Sequence, residues 1–219
     1  SKEEMGLRGP VVSSILAESR PGRGVWVAGA GEAVRYEDGR WSVVAAPKAS
    51  AEPQRWKLAQ TLSEGGERMI WVATLGDGLG RLEGGRFTFL TSQNSGLPDN
   101  AVECIVPDVE IDGTRVLWVG TRNGLARYAY ETGEWTSFDT SNSELPVNSI
   151  LSLERTEGAY RQIWIGTNAG GLVCLTSGLW RRIQARTSGL PHNVVNTVFQ
   201  TTAPDGSPVR WFGTAEGLA

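Results

Sequence analysis

Between Val116 and Phe138 the chain reads VLWVGTRNGLARYAYETGEWTSF, and its apolar positions fall in short runs broken by turn residues. LWVGT is an apolar run closing on Gly-Thr, RNG is a turn, and GLARYAY is a second run. ETG is another turn, and EWTSF alternates apolar with polar. This spacing predicts strands joined by tight turns and leaves no room for a helix. A further strand, Ala101–Asp108 (AVECIVPD), precedes them across a polar loop, which completes a four-stranded antiparallel unit.

The unit recurs. Trp26, Trp71, Trp118, Trp164 and Trp211 stand 45, 47, 46 and 47 residues apart, in the patterns VWVAG, IWVAT, LWVGT, IWIGT and RWFGT. A Gly-containing turn and a partner run follow each: EAVRYE, GLGRLE, GLARYA, GLVCLT and GLA. Trp41, Phe87, Trp135 and Trp180 open the fourth strands. The linkers SGLPDN, SELPVN and SGLPHN lie ahead of the later units, and GLRGPV is a degenerate copy near the start. Four-stranded repeats of about 46 residues with a Trp signature are the pattern of propeller blades.

The predicted fold is an all-β propeller in a single domain over 1–219, with antiparallel blades at about 11–46, 56–91, 101–140, 149–185 and 194–219. Four of these are full blades and the fifth is part of one. The Trp strands are apolar on both faces, as at Leu117, Trp118 and Val119, so each needs a neighbouring blade as cover. The fifth unit stops as its third strand starts, and Ser1–Arg8 supplies one strand at most. The expectation is an arc of a larger propeller, or a piece closed by other copies, with an open apolar face as an association site.

Composition narrows the function classes. The 28 Gly and 9 Trp suit recurrent tight turns and flat aromatics packed between sheets. A net charge of −3 with 21 scattered Lys and Arg offers no basic face for nucleic acid. No apolar run approaches the roughly 18 residues of a membrane span, and no membrane contact is expected within the segment. The opening SKEEMGLRG carries no signal peptide and reads as an excised-domain boundary. Cys104 and Cys174 fall in strands of different blades and read as small buried hydrophobes.

The units resemble the two-component regulator propeller repeat, which runs as an LPxN lead-in, a V-x-x-I strand, LWIGT, a turn, GLxRY and an F-x-x-Y strand. The third unit matches nearly throughout, with LPDNAVECI, LWVGT, NGLARY and EWTSF. The fourth matches at LPVNSILSL and IWIGT, then departs at GLVCL, where Arg-Tyr is expected. The first has VRY, but AGAGE in place of GT-x-x-G. The resemblance covers essentially the whole chain and is more specific for the repeat than for a function. It implies the periplasmic or extracellular sensing part of a bacterial two-component or hybrid sensor protein, of a kind often found beside polysaccharide-use systems. A small-molecule or oligosaccharide ligand and further blades or signalling domains are the implied partners, and a homo-oligomer is a further expectation.

Catalytic chemistry is sparse. His192 is the one histidine, so a His-rich metal site is excluded and any Ser-His-Asp triad would have to use it. No GxSxG elbow supplies a serine. GDGLG (Gly76–Gly80) joins two strands, the wrong context for a dinucleotide motif. DVEIDG (Asp108–Gly113) has acids at alternating positions, but its twelfth position is Val119, where a calcium loop requires a bidentate Glu. A polar hairpin loop is the better reading. No catalytic residue, metal or cofactor is assigned.

In propellers the turns between second and third strands and the loops before first strands share one end of the central channel. The candidate ligand contacts there are Glu32, Asp77, Arg122, Asn123, Asn168 and Glu216 in the turns, and Asp99 and His192 in the lead-in loops. Arg122 and Asn123 lead, as a bidentate fork and a reader of hydroxyls. The expected function is a non-catalytic ligand-sensing module. The rivals are a protein–protein scaffold, favoured by the shortage of aromatics in those loops, a carbohydrate-active propeller enzyme, and a five-bladed lectin.

Overall fold

In the computed structural model of the chain, the described residues are 11–18, 24–29, 32–45, 55–156 and 161–219. Ser1–Arg8, most of GLRGPV, most of the Pro47–Arg55 linker and the end of the first predicted blade at Ala46 lie outside them. The described backbone is built of strands, with one short 3-10 turn at Ala185–Thr187.

The first sheet orders β1 (Ser14–Ala17), β2 (Val25–Gly29), β3 (Glu32–Glu37) and β4 (Arg40–Ala45). The second orders β5 (Lys57–Leu62), β6 (Arg68–Ala73), β7 (Leu79–Glu83) and β8 (Arg86–Leu90). The third comprises β9 (Val102–Val109), β10 (Arg115–Thr121), β11 (Gly124–Ala129) and β12 (Glu134–Phe138). The fourth comprises β13 (Ile150–Thr156), β14 (Gln162–Thr167), β15 (Leu172–Thr176) and β16 (Leu179–Ile183). A three-stranded fifth sheet holds β17 (Val195–Thr202), β18 (Pro208–Thr214) and β19 (Gly217–Leu218). Each sheet is an antiparallel meander in chain order, which is the construction of a propeller blade.

The chain comprises two compact units, Ser1–Ser95 with Asn100–Val102, and Gly96–Asp99 with Glu103–Ala219. In the first, Ala28 and Ala33 present small side chains to Trp56 and Val72, and Leu58, Phe87 and Phe89 complete the core. Trp56 meets Phe87 edge-on at 5.8 Å. The Ser13 hydroxyl donates to the Trp56 carbonyl at 2.7 Å and accepts the Trp56 N–H at 3.0 Å, so the bulky indole is held from both sides of its peptide.

In the second unit Val116, Trp118, Leu125, Ile150, Ile165 and Val173 form one apolar layer between the third and fourth sheets. Trp164, Leu172, Leu190, Val195 and Val198 form the next, between the fourth and fifth. Val116, Leu117, Trp118 and Val119 are all buried in succession, so both faces of β10 are covered, as the unbroken apolar run predicts. The glycine of LWVGT is needed here for close approach. A Cβ at Gly120 would lie 2.5 Å from Cys104 Sγ and 2.7 Å from Ile150 Cγ2. Both cysteines are buried. On the fifth sheet Phe199, Trp211 and Leu218 remain 57%, 41% and 62% exposed, an apolar face without cover among the described residues.

Candidate functional site

Two repeated motifs build the end of each blade where the sequence places its candidate contacts. In the second to fifth blades the Thr closing the Trp strand donates its hydroxyl across the following turn, from Thr74 to the Gly78 carbonyl at 2.9 Å and from Thr121 to Gly124 at 2.8 Å. Thr167 does the same to Gly171 at 2.7 Å and Thr214 to Gly217 at 2.8 Å. The Asn of each lead-in loop is a second clamp. Asn100, Asn148 and Asn193 accept the N–H groups of Ser92, Thr140 and Ala185 on Oδ1, each at 2.8 Å. Their carbonyls accept the turn N–H groups of Gly78 at 3.0 Å, Gly124 at 2.8 Å and Gly171 at 2.8 Å. The recurrent Thr and Asn are thus explained by backbone satisfaction.

The candidate contacts sit on this clamped collar. Asp77, Asn123 and Glu216 donate backbone N–H groups to their turn threonines at 3.0, 3.1 and 3.3 Å. Asn168 donates its N–H to the Ser149 carbonyl at 2.9 Å. His192 Nδ1 accepts the Val194 N–H at 3.0 Å, a structural use of the one imidazole. Glu32 is buried at the start of β3, and Asp99 is half-buried in its loop. Arg122 spends its Nε on Glu103 at 2.9 Å, and Asn123 Oδ1 accepts the Asn148 side-chain amide at 3.2 Å. Within the second unit the structure therefore brings Arg122 and Asn123 to protein partners. Glu32 and Asp77 belong to the first unit and the other six to the second.

A cleft lies elsewhere. It occupies about 590 Å³ in the second unit, at the opposite end of the third and fourth blades. Its apolar wall is Trp118, Phe138, Ile163, Leu175 and Trp180. Trp118 stacks on Phe138 at 6.0 Å and 26°, and Trp180 meets Phe138 edge-on at 5.4 Å. The facing rim carries Asp108, Glu110, Ile111 and Asp112 from the β9–β10 hairpin, with Arg161 from the start of β14. DVEIDG, which the sequence reads as a polar hairpin loop, supplies these acids, and its alternation of acids was the one signal that could have pointed here.

The rim charges are arranged in pairs. Asp108 is buried and faces Arg155 at 3.5 Å and Arg161 at 3.7 Å. Glu110 Oε1 accepts Arg127 Nε at 2.7 Å, and this bond, opposed by burial, raises the Arg127 guanidinium above its usual range. Asp112 is open to solvent, and the Thr114 N–H, donated at 2.9 Å, holds it below the usual carboxylate range together with the Thr114 hydroxyl.

The Trp strands repeat a second pattern that only the coordinates show. The indole N–H bonds Glu18 from Trp26 at 2.7 Å, Thr61 from Trp71 at 2.8 Å, Gln162 from Trp164 at 3.2 Å and Thr201 from Trp211 at 2.9 Å. Trp118 Nε1 has no hydrogen-bond partner among the described residues, and neither has Arg161 Nη1, and both atoms are buried. Asp108 stands ten residues ahead of Trp118, as Thr61 and Thr201 do ahead of their tryptophans. Its carboxylate is turned to the arginines instead.

The GLVCL departure has a related cause. Arg35, Arg81 and Arg127 pair in register with Trp26, Trp71 and Trp118, and Cys174 takes that place opposite Trp164. Arg210, from the next blade, supplies the missing cation, 5.1 Å from the Trp164 ring.

Opposite Trp164 across β13 and β14, Glu154 is raised above the usual carboxylate range by burial, with Arg155 offsetting part of it. The fold therefore holds that proton more tightly than the unfolded chain does, and the ionised form costs stability above the ordinary value of 4.5. Glu154→Gln is expected to raise the melting temperature at pH 7, and the gain to shrink as pH falls toward the carboxylate range. Thermal melts of both proteins across pH 4 to 8 check this.

No protein-family model and no curated protein matches the chain. Solved structures do. The extracellular domain assigned to a hybrid two-component system of B. thetaiotaomicron superposes with a TM-score of 0.73 at 20% identity, covering 100% of this chain and 29% of that one. PorZ, an essential surface component of the type-IX secretion system of Porphyromonas gingivalis, gives a TM-score of 0.61 at 14% identity, covering 94% of this chain and 31% of that one. The chain thus spans less than a third of either neighbour. Its fold is that of the extracellular two-component sensor domain, the all-β propeller architecture that its repeat resemblance implies.

Proposed function

We propose that the chain is a non-catalytic, extracytoplasmic ligand-binding module of a signalling protein. The observation that carries this reading is the cleft of the second unit. An aromatic wall facing a charged rim, at about 590 Å³, falls within the range of small-molecule sites. The fold neighbour is the extracellular part of a two-component system, which supports both the sensing role and a location outside the cytoplasm. None of the described helical segments is long and apolar enough to cross a membrane. Binding without turnover is favoured because Asp108 and Glu110, the paired acids of this cleft among the described residues, are tied to arginines.

A sensor transmits only if its ligand binds the two signalling states unequally. The test is a thermal-shift panel of oligosaccharides, amino acids and short peptides, followed by activity measurements on the longer protein that carries this chain. At least one compound is expected to raise the melting temperature progressively with its concentration, a stabilisation of about 2.7 kcal/mol at a hundredfold excess over Kd. That compound should also remain chemically unchanged. Turnover of the compound, or unaltered signalling output at saturation, would contradict the reading.

A further inference from the structure

We propose that Asp108 is a two-position switch at the seam between the third and fourth blades. In one position it pairs with Arg155 and Arg161 of the fourth blade, and in the other it accepts the Trp118 indole of its own blade. The switch is a property of the fold and holds whether or not the cleft binds a ligand.

The sister blades supply the second position. The hairpins after β5, β9 and β17 are built alike, with Ser63, Glu110 and Ala203 donating N–H groups to the carbonyls of Glu67, Thr114 and Ser207, each at 2.8 Å. Asp108 therefore occupies the place of Thr61 and Thr201, two residues before that bond. From this place Thr61 accepts the Trp71 indole at 2.8 Å and Thr201 accepts the Trp211 indole at 2.9 Å. Each stands two residues beyond the partner of its tryptophan, Ala59 or Phe199, and so on the same face of the sheet. A carboxylate extends one bond further than a threonine hydroxyl, so the matching rotamer of Asp108 carries an oxygen to Trp118 Nε1.

The donor at that position is unmet. Trp118 Nε1 is buried and has no hydrogen-bond partner among the described residues. It has no open surface, so its acceptor has to be a side chain packed beside it. Asp108 lines the same cleft.

The first position is held loosely. Asp108 Oδ1 accepts the Val109 N–H at 2.8 Å, but its arginine contacts are 3.5 and 3.7 Å, longer than the roughly 2.7–2.9 Å of a close charge-assisted bond. Both arginine side chains reach solvent, so water can replace the carboxylate on them as it cannot on the indole. Elsewhere one acceptor serves both partners at once. Glu18 accepts the Trp26 indole and Arg68 of the second blade, and Gln162 Oε1 accepts the Trp164 indole and Arg210 of the fifth. Asp108 is one methylene shorter than either and serves the arginines alone. Moving it exchanges a link across the seam for a bond inside the third blade, and releases Arg161 at the cleft wall. A molecule that contacts the two arrangements unequally shifts their balance.

Deuterium exchange of the indole N–H groups, followed by NMR on the isotope-labelled 219-residue chain, tests this with the Trp164 indole of the same unit as reference. The double variant Arg155→Gln/Arg161→Gln frees Asp108 for Trp118. Exchange of the Trp118 indole relative to Trp164 should then slow about tenfold, the scale of one hydrogen bond gained. Adding Asp108→Ala should abolish the slowing. Asp108→Thr, which installs the acceptor of the second and fifth blades, should slow exchange similarly with both arginines in place. In the unsubstituted chain the Trp118 indole should show microsecond-to-millisecond relaxation dispersion, and Asp108→Thr should remove it. If the arginine variant does not fold, the dispersion and Asp108→Thr still decide. A flat dispersion profile at Trp118, or exchange unchanged in the folded arginine variant, overturns the switch. No ligand enters these measurements, so that outcome leaves the ligand-binding reading standing.

Discussion

Glu18→Ala is expected to destabilise the first unit by about 3 kcal/mol, the low end of what breaking a buried ion pair costs. The Glu18 side chain is 3% exposed and its oxygens serve three partners. Oε1 accepts the Trp26 indole N–H at 2.7 Å and Arg35 Nε at 2.8 Å, and Oε2 accepts Arg68 at 2.5 Å. Removing the carboxylate leaves a buried indole donor unmet. Arg35 keeps Glu37 at 2.9 Å and both arginines reach solvent, which is why the low end applies.

The same carboxyl sets a pH dependence. Burial alone would raise it, but the hydrogen bonds from Arg35 and Trp26 and the charges of Arg35 and Arg68 outweigh burial and hold it below its ordinary 4.5. A depressed carboxyl contributes stability that is complete above the unfolded value and is lost as pH falls through the folded one. Urea titrations should therefore show wild type and Glu18→Gln far apart at pH 7 and converging below about pH 4.5. Parallel curves across that range would mean that the carboxylate charge is not what stabilises the cluster.

Gly171→Ala carries the second large effect, a loss of roughly 2–5 kcal/mol in the second unit from left-handed backbone strain and overpacking combined. Gly171 sits at φ +85, and a Cβ there would lie 2.4 Å from the Ile183 carbonyl oxygen and 3.3 Å from Gln184 Cα. Both are backbone atoms, so no rotamer change relieves the contact. The residue also closes the turn on both sides, donating its N–H to Asn193 at 2.8 Å and accepting Thr167 Oγ1 at 2.7 Å. Gly133 is the matched control, with φ +79 and no atom within 4 Å of its added Cβ. Gly133→Ala should cost only the strain, about 1–2 kcal/mol. Denaturant midpoints for the two variants separate clash from strain, and equal losses would remove the clash from the account.

The strands were legible because each is fixed locally. Trp, Gly-Thr and the turn residues recur on a nearly constant period, and strand formation needs only that alternation and those breaks. Thr121 closes a turn of its own strand end, whereas Asn148 bonds both its own loop at Thr140 and the preceding blade at Asn123, and only the local part of such chemistry is visible in a sequence. The cleft was not legible, because it depends on which side chains of one blade meet those of the next. Asp108 finds its partners at Arg155 and Arg161, more than forty residues on, and no strand pattern encodes that pairing. The same holds for Arg210, which restores over Trp164 the cation that Cys174 lacks. Variable polar turn residues drew attention to Arg122 and Asn123, which in the fold also have protein partners, Glu103 and Asn148. The acids of DVEIDG were visible throughout. What they face was not.

The most direct test of the cleft as the binding site is amide chemical-shift mapping of the chain against a mixed set of apolar amino acids, dipeptides and pyranose sugars. The account predicts perturbations concentrated on the Asp108–Asp112 hairpin, the Trp118 and Trp180 indoles and Arg161, whichever compound binds. Perturbations concentrated on Asp99, Arg122, Asn123, Asn168 and His192 instead would contradict it, and would return the binding site to the collar of turns.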